Sequence, residues 1–139
     1  MKTYLESFLD SLYRVWVDPE QQQDFLTRFY ETFMERSPNI AAHFAGTDME
    51  RQKEMLAQSI HEMVEFSTTR VASERLRQVA LRHNRRERDV APELYEAWLD
   101  SLVATAREFD PTFNDELELA WRVVLAPGIA YMKFRYDHF

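Results

Sequence analysis

The stretch Ser73-Glu74-Arg75-Leu76-Arg77-Gln78-Val79-Ala80-Leu81-Arg82-His83 places an imidazole where an apolar residue belongs. On a helix each residue advances by about 100°, so Leu76, Val79, Ala80 and His83 share one face. A histidine on an apolar face is either a satisfied core residue or a ligand, and this stretch alone does not choose between them. What the face packs against decides it.

Outward from this stretch, apolar residues recur at helical spacing on both sides. Leu5, Phe8, Leu9, Leu12, Val15 and Trp16 form a first row, closed by Asp18-Pro19. Phe25, Leu26, Phe29, Tyr30, Phe33 and Met34 form a second, which stops near Ser37-Pro38 because proline disfavours helical geometry in the residue before it. Asn39 to Gly46 reads as a short connector carrying Ile40 and Phe44. Thr47-Asp48-Met49-Glu50 predicts a capping box, in which the threonine hydroxyl and the glutamate carboxylate satisfy free backbone donors of a helix running to about Arg70. Ser73 to about Arg85 reads as a shorter helix, and Pro92 to Phe109 as another with proline near its first turn. Asn114 to about Asp137 is the last, kinked at Pro127-Gly128. Two glycines and five prolines are too few turn formers for many short strands. The expectation is one all-α domain over residues 1–139 with six or seven helices. A four-helix bundle with extra helices satisfies the same pattern.

Composition removes several function classes. A chain that is 45% hydrophobic and 29% charged has the balance of a globular protein. Its net charge of −7 argues against a nucleic-acid partner, which calls for a basic surface. With no cysteine, disulfides, iron–sulfur ligation, thiolate ligation of iron and thiol catalysis are excluded. No apolar run has signal-peptide or membrane-spanning length, so the expectation is a cytoplasmic protein without a membrane partner. There is no Gly-x-Ser-x-Gly elbow, no glycine-rich phosphate loop and no His-x-x-x-His pair, and no catalytic residue is assigned. The six arginines between Arg75 and Arg88 are interleaved with Glu87 and flanked by Glu74 and Asp89, as on a solvated face.

Two more polar residues fall on apolar stripes. Gln52 shares a stripe with Met49, Leu56, Ile60 and Met63, where an unbonded amide destabilises by roughly 1–3 kcal/mol. Tyr30 shares its face with Leu26, Phe33 and Met34, where a buried hydroxyl needs a partner. The other histidines are weaker candidates: His43 lies in the connector, His61 points away from the Gln52 row, and His138 is next to the end.

Taken together, Phe29-Tyr30, Phe44, Gln52-Lys53-Glu54-Met55-Leu56, and Val79 to Val90 followed by Pro92-Glu93-Leu94-Tyr95 resemble the bacterial globins. The likeness is greatest to single-domain globins related to the haem domain of flavohaemoglobins, and it covers residues 5 to 138. It implies a three-over-three helical sandwich with no or minimal D helix, and haem b as cofactor. Carried over by position, His83 matches the proximal iron ligand, and Phe44 the phenylalanine that stacks on haem. Tyr30 and Gln52 match the distal hydrogen-bonding pair that meets the gas ligand. Leu56 and Val90 match apolar haem contacts, Val79 joins them on the His83 face, and Tyr95 matches a tyrosine behind the histidine.

Haem suits such positions, since its flat apolar body needs an apolar slot, one neutral imidazole and cations near its carboxylates. The resemblance implies reversible binding of a diatomic gas: oxygen, nitric oxide or carbon monoxide. Two other readings stay open, a nitric-oxide dioxygenase served by a separate reductase and a haem-based gas sensor acting through a partner, in a chain expected to be monomer or homodimer. In flavohaemoglobins a glutamate backs the tyrosine and raises the histidine's basicity; here that position falls on Tyr136, which favours binding over catalysis.

Overall fold

The computed structural model describes residues 1–139 and contains seven helices and no strand. They are α1 (Tyr4–Val15), α2 (Pro19–Glu35), α3 (Pro38–His43), α4 (Met49–Thr69), α5 (Glu74–His83), α6 (Leu94–Phe109) and α7 (Asp115–Arg135). No helix lies between α3 and α4, and none of the seven is long and apolar enough to cross a membrane.

Most starts are set by side chains that accept from free backbone donors. Asp18 accepts from Gln21 N at 2.8 Å and is followed by proline at the first helical position; Ser73 accepts from Leu76 N at 3.1 Å, and Asn114 from Leu117 N at 2.9 Å. Four sequence-based boundaries shift. The connector 39–46 is largely helical, because Ser37 caps a one-and-a-half-turn helix that opens on Pro38. Asp48, not Thr47, caps α4: its carboxylate accepts from Arg51 N, while the Thr47 N–H is already used in the turn after α3, bonded to Phe44 O at 3.1 Å. A complete capping box does exist, but at Thr3 and Glu6 on α1. The α5 helix ends at His83, where Asn84 turns extended, and α6 begins at Leu94 because Pro92 lies in the preceding turn, its carbonyl accepting from Tyr95 N.

α2 packs against α6, α1 and α4 pack against α7, and α5 rests on both α4 and α7. Trp121 is fully buried at the centre, edge-on to Phe8 at 4.8 Å, while Phe25 meets Phe109 edge-on at 5.5 Å. Such edge-to-face pairs satisfy ring quadrupoles while filling the core. The α7 helix runs unbroken through Pro127. Beside it, a side chain at Gly128 would stand 2.7 Å from Met63 Cγ, so the glycine permits the close crossing of α4 and α7.

One buried charge organises the opposite end. The Asp110 carboxylate, 1% exposed, accepts from Ser11 Oγ at 2.7 Å, from Arg14 Nε and Nη2 at 2.8 and 2.9 Å, and from Thr112. Ser11 in turn accepts from Trp121 Nε1 at 3.0 Å, so α1, α7 and the end of α6 share one network. Burial alone raises a carboxyl's pKa, but the bonds from Arg14, Ser11 and Thr112 outweigh it and hold Asp110 well below the usual range.

Candidate functional site

Six helices and two connections converge on a predominantly apolar cavity with about 1150 Å³ of unfilled space, counting its open mouth. All eight residues singled out in the sequence line it: Tyr30 from α2, Phe44 after α3, Gln52 and Leu56 from α4, Val79 and His83 from α5, Val90 from the following turn, and Tyr95 from α6. The buried thioethers of Met63 and Met132 line it too. So do Trp98, His43 and Arg88, which sequence reading passed over. His43 sits on the helix that was read as a connector, and Arg88 was grouped with the solvated arginines. Periodicity reveals neither, because α3 is only six residues long and Arg88 lies in the irregular turn after α5.

On the α2–α4 side, Tyr30 is 3% exposed, and its hydroxyl accepts from Gln52 Nε2 at 3.2 Å and donates to the Gln52 carbonyl at 3.4 Å. The Gln52 anomaly is thereby resolved: its amide bonds the tyrosine that also had no other partner. Burial raises the Tyr30 pKa, only partly offset by the Gln52 hydrogen bond, so the phenol keeps its proton and remains a donor. Phe44 stands edge-on to Tyr30 at 5.3 Å and to Phe33 at 6.1 Å, which fixes its ring at the cavity wall.

On the α5–α6 side, His83 Nδ1 lies 3.2 Å from Tyr95 Oη. Desolvation, then the nearby charges of Arg88, Arg82 and His43, push its pKa down to about 4, so the imidazole is neutral at physiological pH. In the tautomer that carries its proton on Nδ1, that nitrogen donates to Tyr95 and Nε2 keeps its lone pair. Tyr95 has no other side-chain partner, and burial alone raises its pKa. Tyr136, at the position expected for a backing glutamate, does not line the cavity; its hydroxyl bonds Asp89 instead. The turn between His83 and Val90 is held by Asn84 Oδ1, which accepts from Arg86 N and Glu87 N at 3.0 Å, and closed by Val90 N on His83 O at 3.1 Å.

Over 96% of its length this chain is similar to 98% of a protein of Pseudomonas aeruginosa PAO1, whose crystal structure is described as structurally highly homologous to a human haemoglobin. The two share 34% sequence identity with a TM-score of 0.87. The chain belongs to the bacterial globins. No family model matches this globin, and no curated protein does either.

Membership in this family implies haem binding, and the residues present fit the group. The cavity walls are mostly apolar, one neutral imidazole has a nitrogen free, and Arg88 and His43 supply basic groups among the lining residues. No group of three His, Asp or Glu side chains converges anywhere in this globin.

Proposed function

We propose that this globin holds haem b through His83 and reversibly binds a diatomic gas, oxygen foremost, under the donors of Tyr30 and Gln52. One observation carries the reading: a single apolar cavity joins a neutral, hydrogen-bonded imidazole on α5 to a buried Tyr–Gln donor pair on α2 and α4. When bound, haem supplies an iron that accepts a diatomic molecule. His83 Nε2 would hold that iron, while the contact of Nδ1 with Tyr95 sets the ring orientation. Phe44, Leu56, Val79 and Val90 line the cavity and would pack on the macrocycle and exclude water. Arg88 and His43 stand ready for its carboxylates.

Tyr30 cannot ionise near neutral pH, so its hydroxyl donates, and Gln52 Nε2 adds a second donor. Hydrogen bonds to a charge-bearing acceptor contribute roughly 1.5–3 kcal/mol, so each slows ligand loss by about ten- to a hundredfold. Nitric-oxide dioxygenation draws on the same donor pair but gains less support, because no carboxylate backs Tyr95 to raise the basicity of His83.

Reconstitution tests the reading. Wild-type protein titrated with haem should take up one equivalent with a sharp Soret band that shifts when the reduced form meets oxygen or carbon monoxide. His83→Ala should lose that band or bind haem without axial coordination. A His83→Ala variant with an unchanged spectrum overturns the assignment.

A further inference from the structure

The outward face of α7 breaks the rule for surface helices. Leu119, Val123, Ala126, Ala130 and Phe134 follow one another at spacings of four, three, four and four residues, and all five are exposed, Leu119 by 44%, Val123 by 42% and Phe134 by 58%. They form one apolar stripe about 22 Å long on a face that is ordinarily polar. The charged side chains beside it are turned away by their own partners: Arg122 bonds Asp100 and Glu118 at 3.0 and 3.1 Å, and Lys133 bonds Glu96 at 2.6 Å.

We infer that this stripe is the interface of a homodimer in which α7 packs antiparallel on α7 of a second copy. Three features favour a second copy over any other occupant. With the two-fold axis between positions 126 and 127, Leu119 meets Phe134 of the second copy and Val123 meets Ala130, so the stripe is its own complement. Small residues fall at the crossing point, where helix backbones approach, and larger ones at the ends, where crossing helices diverge. Charge also selects the antiparallel sense. Leaving aside Glu118 and Lys133, which are already paired, the first turn carries Asp115 and Glu116 and the last turn carries Arg135. Antiparallel pairing sets each acidic end beside a basic end, whereas parallel pairing sets like against like. The acidic Asp137 at the basic end is already paired with Arg85 at 3.2 Å.

The chain has no cysteine, so introduced thiols report the geometry directly. Sedimentation of the full chain over a concentration series should approach twice 16.7 kDa. Val123→Glu should weaken association on the order of a hundredfold, with helical content unchanged because the position is exposed in the single chain. Under mild oxidation Ala126→Cys, at the axis, should cross-link to itself, and Leu119→Cys, about 11 Å from the axis along the helix, should not. Three outcomes overturn the proposal. The wild type could stay monomeric at millimolar concentration, which would leave the stripe to a different partner. A dimer could persist in Val123→Glu. Leu119→Cys could cross-link as readily as Ala126→Cys, as a parallel pair would.

Discussion

Tyr30 has only Gln52 as a polar neighbour, and its bond to the Gln52 carbonyl is long at 3.4 Å, so its proton can be redirected into the cavity at little cost. Tyr30→Phe keeps the ring and removes the donor. Oxygen dissociation from the haem-loaded variant, followed by stopped-flow, should quicken by about ten- to a hundredfold, with uptake of haem itself unchanged. At Asp110 the hydrogen bonds prevail over burial. Its folded pKa is depressed, so its contribution is complete above the unfolded value near 4 and is lost as pH falls towards the folded value. Asp110→Asn should cost on the order of 2 kcal/mol at pH 7, below the range for fully buried pairs because Arg14 is one-third exposed. Urea midpoints should show the gap between variant and wild type narrowing below pH 4; a gap independent of pH would mean that shape, not charge, dominates there.

Helix crossings rather than helix propensities place the cavity. Where α4 crosses α7, even a methyl group at Gly128 would overlap the Met63 side chain at its Cγ and Cε. Met63 also lines the cavity, so any separation of the two helices is transmitted to the site. Gly128→Ala should lower stability by roughly 1–3 kcal/mol, the usual cost of overpacking, despite alanine's better helix propensity. Chemical denaturation measures this directly. A stabilised variant would show that α4 yields without cost. The caps work in the other direction, fixing where each helix begins and therefore which turn of α5 carries His83 to its last position.

For the molecule as a whole, a haem-binding cavity couples cofactor to stability. A ligand at a thousand times its dissociation constant stabilises by about 4 kcal/mol, which for a chain of this size raises the melting temperature on the order of 10 °C. Calorimetry should show that rise for wild type on haem loading and little of it for His83→Ala. Equal rises in both would point to haem held by its apolar faces alone. Much of this architecture was legible beforehand. The long amphipathic rows at Leu5–Trp16 and Phe25–Met34 announced α1 and α2, and the polar intruders Tyr30, Gln52 and His83 announced the cavity wall. The short α3 was missed because six residues opening on a proline complete less than two turns and bury only Ile40, too little for a repeating apolar row, and the α4 cap was misplaced by one residue because Thr47 and Asp48 are both competent caps.

Sequence alone determined that the chain is helical, where its apolar faces lie, and which three polar side chains sit on them, since periodicity and side-chain chemistry are local properties. It could not show that Gln52 and Tyr30 satisfy each other across 22 residues, or that His83 leans on Tyr95 rather than on a carboxylate. Nor could it show that Arg88 and His43 reach the cavity while Tyr136 does not, or that Asp110 bridges two ends of the chain. Those pairings depend on distances between helices, and helix packing, with Gly128 allowing one such close approach, decides them.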